Sequence, residues 1–181
     1  MMNHLQMAHL LMEITVQPGD HVVDMTLGNG HDMKKLLSLC TDQGRFTGFD
    51  IAEEAIRRCS EIARLYPDYS IDLRHESHVH CDDLAPFRFA VYNLGYLPGS
   101  DKTVTTKADS TIESLTKLRA KIQSDGRISL TAYRTHDKEE EANALARWFS
   151  SQSLYRVYSW QRVPDDGHAP IVYMLTPEER K

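Results

Sequence analysis

The chain has 181 residues, 41% hydrophobic and 26% charged, a balance that excludes disorder throughout and gives enough length for one packed core but not for two full domains. Its formal net charge of −5 and sequence pI of about 6.0 exclude a bulk polyanion binder by net charge, leaving only a local basic face open. Cys40, Cys59 and Cys81 stand far apart and in no C-x-x-C pair, which fits reduced thiols in the cytoplasm better than a disulfide framework or structural zinc. The first residues, MMNHLQMAHLLMEITV, do not resemble a basic signal segment. No apolar run approaches membrane-spanning length, so no membrane partner is expected.

In chain order, Leu5, His9 and Met12 with Ala8, Leu10 and Leu11 predict an amphipathic helix at about 4–15, stopped before Pro18-Gly19-Asp20. HVVDMT reads as a short apolar strand ending beside Gly28-Asn29-Gly30, and Asp32 to Cys40 returns to a helical pattern. After the Gln43-Gly44 turn, RFTGFD is a second strand. Glu53 to Leu65 is a helix with Ala55, Ile56, Ile62, Ala63 and Leu65 on its buried side, broken by Pro67 and Asp68. YSIDLRHE is a weaker third strand and RFAVYN a fourth. A loop runs through Gly99 and Ser100, followed by a helix over Ala108 to Ile122 that Asp125-Gly126 punctuates. RISLTAY is the fifth strand and Lys138 to Phe149 an amphipathic helix. LYRVYSWQRV and APIVYMLT lack a helix between them and read as an antiparallel hairpin. This order predicts one α/β domain over 1–181: a three-layer, doubly wound, Rossmann-like fold with a mostly parallel seven-stranded sheet and a C-terminal antiparallel hairpin.

In such a sheet, polar residues at the C-terminal strand ends are the natural ligand contacts. Asp24 closes the first strand; Gly28 and Gly30 permit a close turn, and Asn29 and Asp32 can orient polar ligand groups, although Asp32 can equally cap the next helix. Asp50 ends the second strand as an acceptor suited to a ribose diol, or as a cap for the helix that follows. Glu76, Ser77 and His78 follow the third strand. The first turn lacks full G-x-G-x-x-G spacing, so these residues point to a nucleoside-like ligand rather than to a dinucleotide.

Taken together, D-M-T-L-G-N-G-H-D, F-D-I, the E-S-H segment and N-L-G-Y-L-P-G-S-D-K resemble a class I S-adenosylmethionine-dependent methyltransferase. More narrowly, they resemble a small bacterial family first described as rRNA methylases and associated with methylation of 5-aminomethyl-2-thiouridine at the tRNA wobble position. The resemblance implies S-adenosylmethionine as cofactor, no metal, a homodimer, and a tRNA anticodon stem-loop carrying the aminomethyl wobble uridine as partner. It further implies that Gly28, Asn29, Gly30 and Asp32 shape the methionine side of the cofactor pocket, that Asp50 engages the ribose, and that Ser77 and His78 approach the adenosine. Ala52 stands where the family often has glutamine, and Thr135 where its Y-x-G-H motif has glycine.

Asn93 suits methyl transfer to nitrogen, because its carbonyl oxygen can accept an amine hydrogen and direct the nitrogen lone pair toward a methyl donor; it also counts among the cofactor contacts. Gly95 permits close approach and Tyr96 can wall a uracil ring. The competing reading is a tight loop in which Asn93 satisfies backbone groups. Tyr133 and His136, after the fifth strand, are candidate proton acceptors or substrate walls; Tyr133 can equally be core and His136 a helix cap. Lys102, Lys107, Arg134, Lys138, Arg156 and Arg162 are candidates for a basic RNA-binding rim, with Tyr96, Tyr133, Tyr155, Tyr158 and Trp160 as stacking surfaces. His75, His78 and His80 lie close in sequence, but alternation along a strand does not make them converge on a metal.

Overall fold

The structure, a computed structural model of the chain, describes residues 3–94, 108–134, 139–163 and 167–178. The elements in order are α1 (His4–Glu13), β1 (His21–Asp24), α2 (His31–Cys40), β2 (Arg45–Asp50), α3 (Glu53–Ala63), β3 (Ser70–His75), β4 (Phe87–Leu94), α4 (Ala108–Leu118), β5 (Ile122–Ala132), α5 (Glu139–Ser151), β6 (Tyr155–Trp160) and β7 (Ile171–Pro177). The strands form one seven-stranded sheet in the order β3-β2-β1-β4-β5-β7-β6. The first five run parallel, while β7 is antiparallel to both β5 and β6. The chain therefore winds outward from β1 in one direction, then returns to β4 and winds the other way. A crevice opens at that reversal, between the C-terminal ends of β1 and β4.

Period-2 alternation along the central strands divides the core between the two faces of the sheet. Val22, Phe46, Phe89 and Val91 pack beneath α1, α2 and α3 with Leu11, Met12, Leu36, Leu37 and Ile62. On the other face, Val23, Phe49, Ala90, Tyr92, Ile128 and Leu130 meet α4 and α5 through Leu115, Leu118, Leu145 and Phe149. At the start of α1, Asn3 Oδ1 accepts the Gln6 N–H and Gln6 Oε1 accepts the Asn3 N–H, both at 2.9 Å. This reciprocal cap satisfies two amides that the helix leaves without internal partners.

The three-layer architecture matches the sequence expectation, with differences at particular elements. The fourth helix ends at Leu118 rather than Ile122, and β5 begins at Ile122 rather than at Arg127. Asp125-Gly126 therefore lies inside a strand. A Cβ on Gly126 would sit 2.8 Å from the Arg88 carbonyl oxygen, so glycine there permits a close approach of two strands where their register shifts between Phe87 and Phe89. Leu65, expected on the buried side of α3, lies beyond the helix end and is 75% exposed. Tyr155 is core, its hydroxyl donating to the Leu115 carbonyl at 2.6 Å.

Candidate functional site

The turn after β1 is built on its own carboxylates. Asp24 Oδ1 accepts the Thr26 N–H at 3.0 Å, and Asp50 Oδ2, at the end of β2, accepts the Gly28 N–H at 2.9 Å. Asp50 Oδ1 accepts the Ala52 N–H at 2.8 Å, so each Asp50 oxygen holds one backbone donor and retains a lone pair facing outward. Gly28 and Gly30 have φ of +50° and +73°, backbone that side-chain-bearing residues rarely adopt. Gly30 also caps α2, and a Cβ there would come within 2.5 Å of Ile62 Cδ1. Asp32, in the first turn of α2, is held by His9 of α1, whose Nε2 lies 2.9 Å from Asp32 Oδ1. Asn29, between the two glycines, accepts a hydrogen bond at its side-chain oxygen from Arg58 of α3.

Across the crevice, the Asn93 N–H donates to Thr26 Oγ1 at 2.8 Å and ties the end of β4 to the turn after β1. Just past β5, the Tyr133 hydroxyl lies 3.3 Å from His4 Nε2 of α1. His78, following β3, packs edge-to-face on Tyr92 with centroids 5.6 Å apart. Ser77 Oγ accepts the Val79 N–H at 3.3 Å, shaping the turn that presents His78.

Three buried side-chain polar atoms at this edge have no hydrogen-bond partner among the described residues: Asp24 Oδ2, His78 Nε2 and Asn93 Oδ1. Buried polar atoms left without partners are costly and are ordinarily met by an ordered water or a ligand. Burial drives the Asp24 carboxyl well above the usual range, with the Asp32 charge next and Asp50 adding to it against the Thr26 hydrogen bond. Burial lowers His78 to about 4 despite the Met25 carbonyl, so its imidazole is neutral at physiological pH. Tyr133 is raised by burial and by Asp32, and remains a phenol.

Of the expected site residues, Asp24, Gly28, Gly30, Asp32, Asp50, Ser77, His78, Asn93 and Tyr133 meet at this edge, as the preceding contacts show. Tyr96, Lys102, Lys107, His136 and Lys138 lie outside the described residues. In the expected basic rim, Arg134 donates from Nε to the Ala169 carbonyl at 2.9 Å, pinning the loop after β5 to the segment before β7, and Arg162 is exposed beyond β6. Arg156 does not belong to the rim: it opens β6 opposite Thr176, at the far edge of the sheet, and pairs with Glu178 at 3.0 Å. Trp160 does reach the site edge, since it pairs with Val172, which in turn pairs with Thr131. Thr26, Arg58, His4 and His9 were missed; no motif marks any of them, and only the fold brings them to the site. Among the described residues no group of three or more His, Cys, Asp or Glu is placed to hold a metal ion, and no helix is long and apolar enough to cross a membrane.

Residues 46–176 match the family model described as "Putative rRNA methylase". The chain belongs to this family. The rRNA-methylase family lies within the class I S-adenosylmethionine-dependent methyltransferases. An rRNA-methylase structure from Clostridium thermocellum is 28% identical, with a TM-score of 0.91 over 98% of each chain. A methyltransferase from Streptococcus mutans, solved with S-adenosylhomocysteine, is 21% identical, with a TM-score of 0.86 over 98% of this chain and 99% of that one; at that identity the likeness shows the fold. Among curated proteins, the chloroplast tRNA (mnm(5)s(2)U34)-methyltransferase of Arabidopsis thaliana is 28% identical over 163 residues, 81% of this chain. The chain spans 58% of that relative's length. The donor set fits the family's cofactor in kind: Asp24 Oδ2 and His78 Nε2 are buried polar atoms without partners, and each Asp50 oxygen holds only one backbone donor.

Proposed function

We propose that this rRNA-methylase family member methylates the side-chain amine of 5-aminomethyl-2-thiouridine at the wobble position of tRNA, giving the methylaminomethyl form. The observation that carries the reading is Asn93 Oδ1: a buried acceptor without a partner, on a residue whose backbone is fixed by Thr26, at the crevice where the family's cofactor fits. A neutral primary amine has two hydrogens and one lone pair. In this reading Asn93 Oδ1 takes one hydrogen and Tyr133 Oη takes the other, which leaves the lone pair directed at the methyl group. The chloroplast relative, whose name specifies a wobble-uridine substrate, supports the choice of acceptor.

S-adenosylmethionine supplies an electrophilic methyl on a sulfonium whose departure needs no acid. Asp24 binds the methionine ammonium, Asp50 the ribose diol and His78 the adenine amine, while Gly28 and Gly30 keep the turn close. As the amine nitrogen attacks, a C–N bond forms and the C–S bond breaks with its electron pair left on sulfur. The new secondary ammonium then loses one proton to solvent. Arg134, Arg162 and Trp160 receive the anticodon stem-loop; Tyr96, Lys102 and His136, outside the described residues, are carried in this reading as substrate-contacting residues on their sequence motifs alone. In this reading residues 1–181 form one methyltransferase domain that works in the cytoplasm as a homodimer, in keeping with three free, buried cysteines; light scattering tests the dimer.

Labelled S-adenosylmethionine and tRNA bearing 5-aminomethyl-2-thiouridine are incubated with the pure protein, and the nucleosides are resolved by mass spectrometry. Label is expected in the methylaminomethyl nucleoside, and none in tRNA lacking only the aminomethyl group. A folded protein that binds S-adenosylhomocysteine yet leaves this base unlabelled overturns the assignment; label in ribosomal RNA instead redirects it.

A further inference from the structure

Strand β1 stops pairing before its neighbour β4 does. Its register ends with Asp24 opposite Val91, whereas β4 stays paired with β5 through Asn93 and Leu94. One more ladder bond is made on the β1 side, from the Met25 N–H to the Val91 carbonyl at 2.9 Å. In a parallel ladder, a residue that donates its N–H to one carbonyl of the next strand accepts, at its own carbonyl, the N–H two positions further along that strand. Continued regularly, the Asn93 N–H would therefore bond the Met25 carbonyl. It bonds a side chain instead, donating to Thr26 Oγ1 at 2.8 Å. A hydroxyl thus takes the place of a main-chain carbonyl where β1 leaves the sheet to make the glycine-bearing turn.

Thr26 is itself held. Its N–H donates to Asp24 Oδ1 at 3.0 Å, so the residue that anchors Asn93 is anchored on a carboxylate whose other oxygen is buried without a partner. Asn93 Oδ1 is a second such atom. Asparagine has a single methylene between its backbone and its amide, so a shift of the Asn93 backbone passes almost undiminished to Oδ1. We propose that Thr26 is a positioning residue for the methyl acceptor: its hydroxyl oxygen replaces the carbonyl that β1 withdraws, and so fixes Asn93 at a set separation from Asp24. This deepens the amine-methylation reading and rests on it. The two contacts of Thr26 are separable, because the one to Asp24 is made by the backbone and the one to Asn93 needs the side-chain oxygen.

Two measurements test this on variants that keep or remove the oxygen. Thr26→Val keeps the branched shape without it, and Thr26→Ser keeps it; Thr26→Ala, also without it, serves if the valine variant does not fold. In residue-resolved amide hydrogen exchange of the ligand-free protein, Asn93 is expected to exchange at least about tenfold faster in Thr26→Val than in wild type or Thr26→Ser. Unchanged Asn93 exchange in Thr26→Val overturns the proposal whatever the substrate proves to be. In kinetics with the aminomethyl tRNA, the kcat of Thr26→Val is expected to fall about ten- to a hundredfold, with S-adenosylhomocysteine affinity and the KM for tRNA within about twofold of wild type. Thr26→Ser recovers most of the loss, and Thr26→Val with Asn93→Ala loses no more than Asn93→Ala alone. A serine variant as slow as the valine one, additive losses, or equal losses in kcat and cofactor affinity overturn the proposal. If the wild-type protein fails to methylate this tRNA, the proposed function falls while Asn93 exchange still decides the role of Thr26.

Discussion

Gly28 donates its backbone N–H to Asp50 Oδ2 at 2.9 Å, joining the glycine-bearing turn after β1 to the carboxylate at the end of β2. Asp50 therefore shapes the turn, and in the proposed reading its remaining lone pairs bind the ribose of the cofactor. Asp50→Ala strips acceptors from Gly28 and Ala52 together. Hydrogen bonds to charged groups contribute about 1.5–3 kcal/mol each when intact, with partly exposed ones toward the low end. The variant is expected to lose S-adenosylhomocysteine affinity at least about tenfold and to unfold at a lower temperature, read by calorimetry and thermal melting. Unchanged affinity would remove Asp50 from the cofactor site.

Asp24 is expected to show opposite effects on stability and binding. Its carboxyl is buried with one oxygen unpartnered, and Asp32 and Asp50 lie close enough to oppose its ionisation. Because its folded pKa is raised, its contribution favours the fold at low pH and is lost as pH rises through that raised value. Asp24→Asn removes the ionisation cost, so the ligand-free protein is expected to melt higher at neutral pH. The same change removes the counter-charge for the methionine ammonium, and S-adenosylhomocysteine affinity is expected to drop at least about tenfold. A melting temperature that falls would contradict the electrostatic account.

His78 gives an acid limb to stability. Its folded pKa is near 4 against an unfolded value near 6.5, so the unfolded chain takes up the proton first as pH falls. Stability is intact above about pH 6.5, declines between 6.5 and 4, and loses no more from this group below 4. The difference corresponds to about 3 kcal/mol. Burial also lowers His21 and His4, which steepens the limb, whereas Asp24 works against it. Denaturant melts of His78→Phe across this range should show a shallower decline than wild type.

At Gly30, φ is +73° and a Cβ would approach Ile62 Cδ1 at 2.5 Å. Gly30→Ala is expected to cost about 1–2 kcal/mol from the left-handed backbone, with the contact adding to it. Replacing Ile62 with valine removes Cδ1 and should relieve the contact but not the backbone part. The penalty measured in that background is therefore smaller and not zero, and equal penalties would mean that the contact is absorbed by side-chain motion.

The sheet was legible because strand-bearing runs alternate with amphipathic helices, and RFTGFD became β2 residue for residue. The start of β5 was not legible: Asp125-Gly126 has the composition of a turn, and it lies in the irregular stretch between Ile122 and Arg127, the two positions that pair with Phe87 and Phe89 of β4. Asp24, Gly28, Asp50 and Asn93 stood out because a strand end or positive-φ turn constrains the residue type locally. Thr26, Arg58 and His4 did not, since each acts through a partner distant in sequence: Asn93, Asn29 and Tyr133 in turn. The Arg156 expectation failed because charge alone does not tell which end of a hairpin strand reaches the site.

The bond from Asn93 to Thr26 spans 67 positions, and it joins neighbouring strands whose pairing waits on everything between them. During synthesis, Asp24, Asp50 and His78 all emerge before β4 exists to close the crevice. A nascent chain halted there has most of the cofactor contacts but no wall against which to assemble them, and long-range pairings of this kind form late. The crevice between β1 and β4 thus exists only once β4 has paired with β1.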